Sequence, residues 1–402
     1  MSLLLRNNGA MMFIMFNMFL SMAAFGLVIP VMPEYIRMLG LNGTTAGLLT
    51  AAFAVTQFFF SPFAGRFSDK VGRKKSIVLG MIILALSEAI FGLASSSIWL
   101  FVSRFLGGIG LAFVMPSVMA YTADITTESE RAKGMSYVSA ALSTGFLIGP
   151  SIGGFLAEFG TRVPFYVAAI GAGIAAIITW FVLPEIKRKS EDIEVIKENG
   201  MFKMILDSVK TPYFSTLLVL MVLGFALANF ETVFGLYLDS KHSFGPTDIA
   251  IIMSIGAIAG VIIQLGVLDL LVRKLGELKV IYLSMLIAGI SVMTILITNS
   301  YWSLILVTIV IFSACDLLRP AASTYLSKQA ENDQGYVAGL NSSYNSIGTI
   351  LGSSIAGVLY DMNISFPYLV AGFTLLLCFF LLYLKARRNA GVSIAREKVK
   401  EQ

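Results

Sequence analysis

The chain has 402 residues, 57% of them hydrophobic and only 13% charged, where a soluble domain carries about 25% charged residues. Twenty-nine Lys and Arg against 24 Asp and Glu give a formal net charge of +5, while one His and two Cys, both Cys inside apolar runs, exclude a disulfide framework and a Cys-based metal site. Water is not the solvent for most of this surface, and the length suits twelve runs of about 20 apolar residues with no soluble domain added.

Apolar runs between charged, Pro, Gly and Asn breaks predict spans near 11–36, 44–64, 76–96, 98–122, 134–160 and 163–184, then 213–238, 246–271, 278–298, 301–327, 336–360 and 365–384. The first run exceeds the roughly 7–15 residues of a signal-peptide core and has no small-x-small cleavage site before Pro30, so it reads as a retained helix. It contains Phe25-Gly26-Leu-Val-Ile-Pro30-Val-Met-Pro33. Between spans two and three lies Gly65-Arg-Phe-Ser-Asp69-Lys-Val-Gly72-Arg73-Lys74. Its glycines permit a tight turn, Asp69 is suited to a helix N-terminus, and the basic residues favour an anionic membrane face.

Span three carries Glu88, an acid among apolar residues with no neighbour in sequence to suggest a partner, which leaves a structural role open. Span four carries Arg104 in Trp99-Leu-Phe-Val-Ser-Arg104-Phe-Leu-Gly-Gly108-Ile-Gly110. An intramembrane arginine is expensive and faces a cavity or an acid, or else snorkels to the interface. In span five, Gly145-Phe-Leu-Ile-Gly149-Pro150-Ser-Ile-Gly153-Gly154 combines a proline that removes a helix hydrogen bond with glycines that admit a neighbouring helix, predicting a kinked, tightly packed pivot. The polar stretch after Pro184 predicts a linker, giving an organisation of 1–184, a linker over 185–212, a second bundle over 213–384 and a basic tail over 385–402.

In the second half, Glu231 in span seven and Asp316 in span ten are each flanked by a turn or more of apolar residues on both sides. Desolvation disfavours their charged forms, and intramembrane acids of this kind mark proton relays. Arg319, three residues after Asp316 on one helix face, opposes that effect. Gln57, Asn17, Gln264 and Asn341 are candidate hydrogen-bonding groups of a cavity, although amides also serve helix packing.

An offset of 203 residues superposes Gly145, Gly149, Gly154, Pro164 and Val167 on Gly348, Gly352, Gly357, Pro367 and Val370, and places Thr44 on Thr247, Trp99 on Trp302 and Glu128 on Glu331. One offset held over so many segments is an internal repeat of six spans plus six, the layout of transporters whose two bundles rock about a midplane site. With both termini inside, only Arg37, Arg162 and Lys241 fall in outer loops, and Arg104 and Arg319 lie well within spans, so the positive-inside rule places both termini in the cytoplasm.

These motifs together resemble the major facilitator superfamily, and within it the twelve-span drug:proton antiporters. Phe230-Glu231-Thr232, Asp316-Leu-Leu-Arg319-Pro320 and Gly339-Leu-Asn341-Ser look like the bacterial quinolone and multidrug exporters of that family, from which the chain departs at Gly107, where the family pattern has Gln. The resemblance implies an all-α, multi-pass protein of the cell membrane with two parallel-related six-helix bundles. It further implies a gate cluster of Asp69, Arg73 and Asp124 with Gly65 and Gly72, an exporter pivot at Gly149, Pro150 and Gly154, and proton coupling through Glu231, Asp316, Arg319 and Arg104. Phe146, Phe230, Tyr137 and Tyr344 become pocket candidates beside Gln57 and Asn341. The function implied is efflux of lipophilic or cationic drugs by a monomer, with a proton gradient as the energy source and no other cofactor. Lipid is the surrounding partner and nucleic acid is not one, the charges being confined to loops.

Two other readings fit less well. A metabolite or sugar transporter of the same fold is disfavoured by the Gly-Pro element of span five. A membrane-embedded enzyme lacks a catalytic constellation. Gly149-Pro-Ser151-Ile-Gly153 fits a nucleophile-elbow pattern but has no strand context, the one histidine is His242 in a loop, and the absence of a Gly-Lys dipeptide rules out a P-loop.

Overall fold

The computed structural model describes residues 6–185, 201–330 and 334–400, so most of the predicted linker, and the side chains of the predicted basic tail, lie outside the described residues. The described residues are helical throughout, without a strand. In chain order the helices are α1 (Arg6–Gly26), α2 (Val28–Met38), α3 (Gly43–Val71), α4 (Arg73–Leu93), α5 (Ser97–Ile125), α6 (Glu128–Ala157), α7 (Val163–Val182), a short α8 (Met201–Ser208), α9 (Phe214–His242), α10 (Pro246–Leu275), α11 (Glu277–Thr294), α12 (Tyr301–Gln329), α13 (Gln334–Met362) and α14 (Phe366–Lys400). Eleven spans among the described residues are long and apolar enough to cross a bilayer, α1 and α2 together forming the first. α13 sits where the remaining predicted span falls; it is 29 residues long, and its apolar character is diluted by Ser, Asn and Gly rather than by charge.

The first predicted span breaks at Leu27. Pro30 has no N–H to offer the Gly26 carbonyl, so the helix loses a bond where α1 passes into α2. α3 starts at Asn42, whose side chain accepts from the Thr45 amide at 3.0 Å, and α6 starts on a capping box of Thr127 and Glu130. In a bilayer helices satisfy nearly all backbone groups within the segment, while Phe181, Leu265 and Trp302 remain exposed as lipid-facing groups do.

The chain falls into two compact units. One comprises Met1–Lys197, Glu231–Ser254 and Ser353–Met362; the other comprises Glu198–Phe230, Ile255–Gly352 and Asn363–Gln402. In the first unit α4 packs on α5 and α7, α3 on α5, and α1 on α6, around a core that includes Met11, Ile14, Met18, Ile77, Met81, Val114 and Tyr121. In the second, α11 packs on α12 and α14.

Glycine stripes set the closest approaches. A Cβ at Gly145, Gly149 or Gly153 of α6 would strike the carbonyls of Phe19, Ala23 and Leu27, one per turn, so only glycine admits the backbone of α1. The repeat reproduces the stripe in the second unit, where Gly348 and Gly352 of α13 meet the carbonyls of Met221 and Phe225 on α9. α6 continues as helix through Pro150, whose ring lies 3.0 Å from the Cβ position of Gly26.

Candidate functional site

The turn between α3 and α4 is made by one glycine. Gly72 has φ +115°, and a Cβ there would collide with the Glu185 carboxylate, whereas Gly65 lies inside α3 with open space around it. The expectation that both glycines shape the turn is therefore corrected: the helix runs on to Val71, and only the residue that reverses the chain needs the left-handed half of backbone space. Asp69 likewise lies in the last turn of α3 rather than at a helix start. There its charge opposes the helix dipole and is answered by Arg73, 2.5 Å away. Arg73 is buried, also reaches Asp124 at the end of α5 at 3.2 Å, and donates to the Ser68 hydroxyl. One arginine thus ties α3, α4 and α5 together, bringing Asp69, Arg73 and Asp124 into one cluster.

Arg104 does not snorkel. It is 4% exposed and lies 3.9 Å from the carboxylate of Glu88, itself 1% exposed, with its guanidinium over the Phe91 ring at 4.2 Å. Reciprocal hydrogen bonds between Ser87 and Ser103, each hydroxyl donating to the other's carbonyl at 2.8 Å, fix the register of α4 against α5 beside the pair. Glu88, which has no partner in sequence, has one in space. The departure at Gly107 also has a steric reason, since a Cβ there would meet the Ser87 hydroxyl at 2.8 Å and the Phe53 ring at 3.0 Å.

Glu231 in α9 and Asp316 in α12 are half-buried, unlike the Glu88–Arg104 pair, so the deepest charges of the described protein are not the two acids that sequence pattern emphasises. Arg319, exposed one turn beyond, acts on Asp316 through its charge. A carboxylate retaining part of its hydration is desolvated less than Glu88, which holds an arginine.

The substrate candidates divide. Gln57, Tyr137, Phe146 and Asn341 are half-buried, with Phe146 stacked on Phe25 at 6.1 Å and the Asn341 amide donating to Ser323. Phe230 is fully buried against Phe312 and Tyr368, and Tyr344 is buried with its hydroxyl 2.8 Å from that of Ser208 on α8. Asn17 serves packing, its amide donating to the Thr179 hydroxyl at 2.8 Å in the core. A groove of about 430 Å³ lies between α1 and α6, lined by Met12, Met15, Phe16, Phe19, Ala140, Ala141 and Thr144. The abundance of Met and Phe in the sequence suits such an adaptable apolar surface, but nothing in the run Met11-Met12-Phe13-Ile14-Met15-Phe16 distinguishes it from other lipid-facing or core stretches. Tyr137 stands one turn before Ala141 on the same face of α6.

The model of the Major Facilitator Superfamily matches residues 14–297 and 216–401. The chain belongs to this superfamily. Its members are transporters, and this one is a multi-pass protein of the cell membrane. It is 46% identical over 363 residues to Multidrug resistance protein 2 of Bacillus subtilis, covering 90% of this chain and 91% of the relative. It is 39% identical over 365 residues to the quinolone resistance protein NorA of Staphylococcus aureus, covering 90% and 92%. An alanine-mutant crystal structure of the nucleoside transporter NupG superposes with a TM-score of 0.79 at 16% identity, covering 93% of this chain and 99% of that one, a likeness of fold alone.

Proposed function

We propose that this superfamily member exports lipophilic or cationic drugs in exchange for protons, by alternating access. The observation that carries the reading is its identity to the Bacillus and Staphylococcus resistance proteins over nine-tenths of both chains. The apolar, sulfur-rich groove between α1 and α6 suits substrates recognised by adaptable contact rather than by fixed hydrogen bonds.

In this mechanism Glu231 and Asp316 exchange protons, with Arg319 opposing proton uptake at Asp316, and the Asp69–Arg73–Asp124 cluster holds one conformation until it is released. Arg104 acts by anchoring Glu88. Proton and drug binding are mutually antagonistic, and each inward proton supplies about 2.3 kcal/mol per 100 mV and about 1.4 kcal/mol per pH unit. The protein works as a monomer with both termini in the cytoplasm. Dye efflux measured in everted vesicles tests the reading: efflux should collapse on adding a protonophore and in Glu231→Gln and Asp316→Asn variants that still reach the membrane. Efflux indifferent to the protonophore and to both variants would sink proton coupling.

A further inference from the structure

We infer that Gly260 is a positioning residue for the Asp316 carboxylate, holding open the space into which that side chain projects. Gly256 and Gly260 stand one turn apart on α10, facing Thr308, Phe312 and Asp316, which stand one turn apart on α12. A Cβ on Gly256 would meet the Thr308 methyl at 2.7 Å and the Phe312 ring at 2.9 Å, which is packing alone. A Cβ on Gly260 would overlap Asp316 Oδ2, while its backbone neighbour, the carbonyl carbon of Phe312, stays 3.2 Å away. A methyl group at 260 therefore asks α12 to give by a few tenths of an ångström at Phe312, whereas the carboxylate has to move away outright. The repeat points the same way, because the residue 203 positions before Gly260 is Gln57: the first bundle fills with an amide the place that the second leaves empty beside its acid. The acids of α10 and α11 are remote or engaged. Asp248 and Asp269 of α10 are about 18 and 14 Å along the helix, Arg273 and Lys274 lie beyond them, and Glu277 of α11 is paired with Lys328. Arg319 on α12 is the charge that reaches Asp316.

This inference rests on the proton-exchange reading of Asp316. Gly260→Ala, Gly256→Ala and Asp316→Asn are compared in vesicles for drug efflux as a function of pH and for thermal stability in detergent. Gly260→Ala should move the half-maximal pH of efflux by about one unit, a tenfold change in proton affinity, while melting no lower than Gly256→Ala, which should leave the pH profile in place. An unmoved profile in Gly260→Ala, or the same displacement in both glycine variants, overturns the positioning role. Full proton-driven efflux by Asp316→Asn would instead overturn the reading beneath it.

A second inference stands on different contacts: the geometry points to a duplicated latch at the end of the first unit remote from the Gly72 turn. The Asp361 carboxylate of α13 accepts from the amides of Gly43 and Thr44, both at 2.8 Å, and from the Thr44 hydroxyl, at the start of α3. The 203-residue offset carries Asp361 back to Glu158 and Thr44 forward to Thr247, and on that other pair of helices Glu158, just after α6, accepts from the Thr247 hydroxyl of α10 at 2.9 Å. The small-residue contacts beneath are duplicated too, Gly357 meeting the Gly43 carbonyl and Gly154 the Pro246 carbonyl. Acids at α6 and α13 thus grip the first turns of α10 and α3.

Spin labels at Leu41 and Asn363, in a chain with Cys315 and Cys378 replaced by Ala, read the separation of α3 from α13. Asp361→Ala, alone and with Glu158→Ala, should lower the ratio of short to long distances about fivefold or more, whereas Asp248→Ala at the same end should not. Unchanged distance distributions in the double variant, or an equal change in Asp248→Ala, overturn the latch.

Discussion

At the residue scale, the Glu88–Arg104 pair decides what the first bundle tolerates. Among the described residues Glu88 Oε2 and Arg104 Nε and Nη2 have no hydrogen-bond partner, so the pair is held by charge and by the Phe91 ring more than by a satisfied network. Removing one partner leaves an uncompensated buried charge, which costs about 3–5 kcal/mol, whereas replacing both by apolar groups of similar volume is often neutral. Glu88→Leu and Arg104→Met should each lower the melting temperature in detergent sharply, and the double variant should recover most of the loss. Additive losses would mean that the two side chains do not act as a unit. An arginine inside span four was legible in the sequence, and an acid was one of the partners open to it, beside a cavity or the interface. That Glu88 supplies it was not, because the two lie 16 residues apart across a hairpin whose rotation no spacing rule fixes.

At the element scale, the α3–α4 turn separates glycines that look alike in the motif. Gly72→Ala forces an alanine into backbone space that is essentially glycine's and drives its methyl into Glu185, a cost of at least about 1–3 kcal/mol. Gly65→Ala places alanine inside a helix with nothing nearby and should stabilise by about 0.5–1 kcal/mol. Thermal unfolding of the two variants checks the order, and equal effects would contradict the geometry. The α6 stripe makes a related claim. Gly149→Val should separate α1 from α6 and lower the folded yield, because its Cβ position lies 2.7 Å from the Ala23 carbonyl, a backbone atom that cannot rotate away.

At the scale of the whole molecule, the repeat is the organising fact. Glycines aligned by a single offset in the sequence turn out to make matching contacts, Gly145 and Gly149 on α1 and Gly348 and Gly352 on α9. The symmetry is broken where charge enters: the first bundle carries the Arg73 cluster and the buried Glu88–Arg104 pair, and α12 of the second half carries Asp316 with Arg319. The mechanism proposed here needs such an asymmetry, since a frame of two equivalent halves supplies motion and an unequal placement of acids supplies direction.

The sequence by itself determined the helical character and order of the spans, and the repeat. Each follows from composition along a line. Tertiary structure alone decided that Glu88 holds Arg104, that Glu231 and Asp316 are half-buried, that Phe230 and Tyr344 are packed inside, and that Gly260 faces Asp316. The physical reason is that a membrane helix is apolar on nearly every face, so its sequence carries little of the period-3.6 contrast that tells a soluble helix which way to turn. With about 100° between successive residues, which side chains meet is settled by close packing of glycines and by the few buried charges that must find one another.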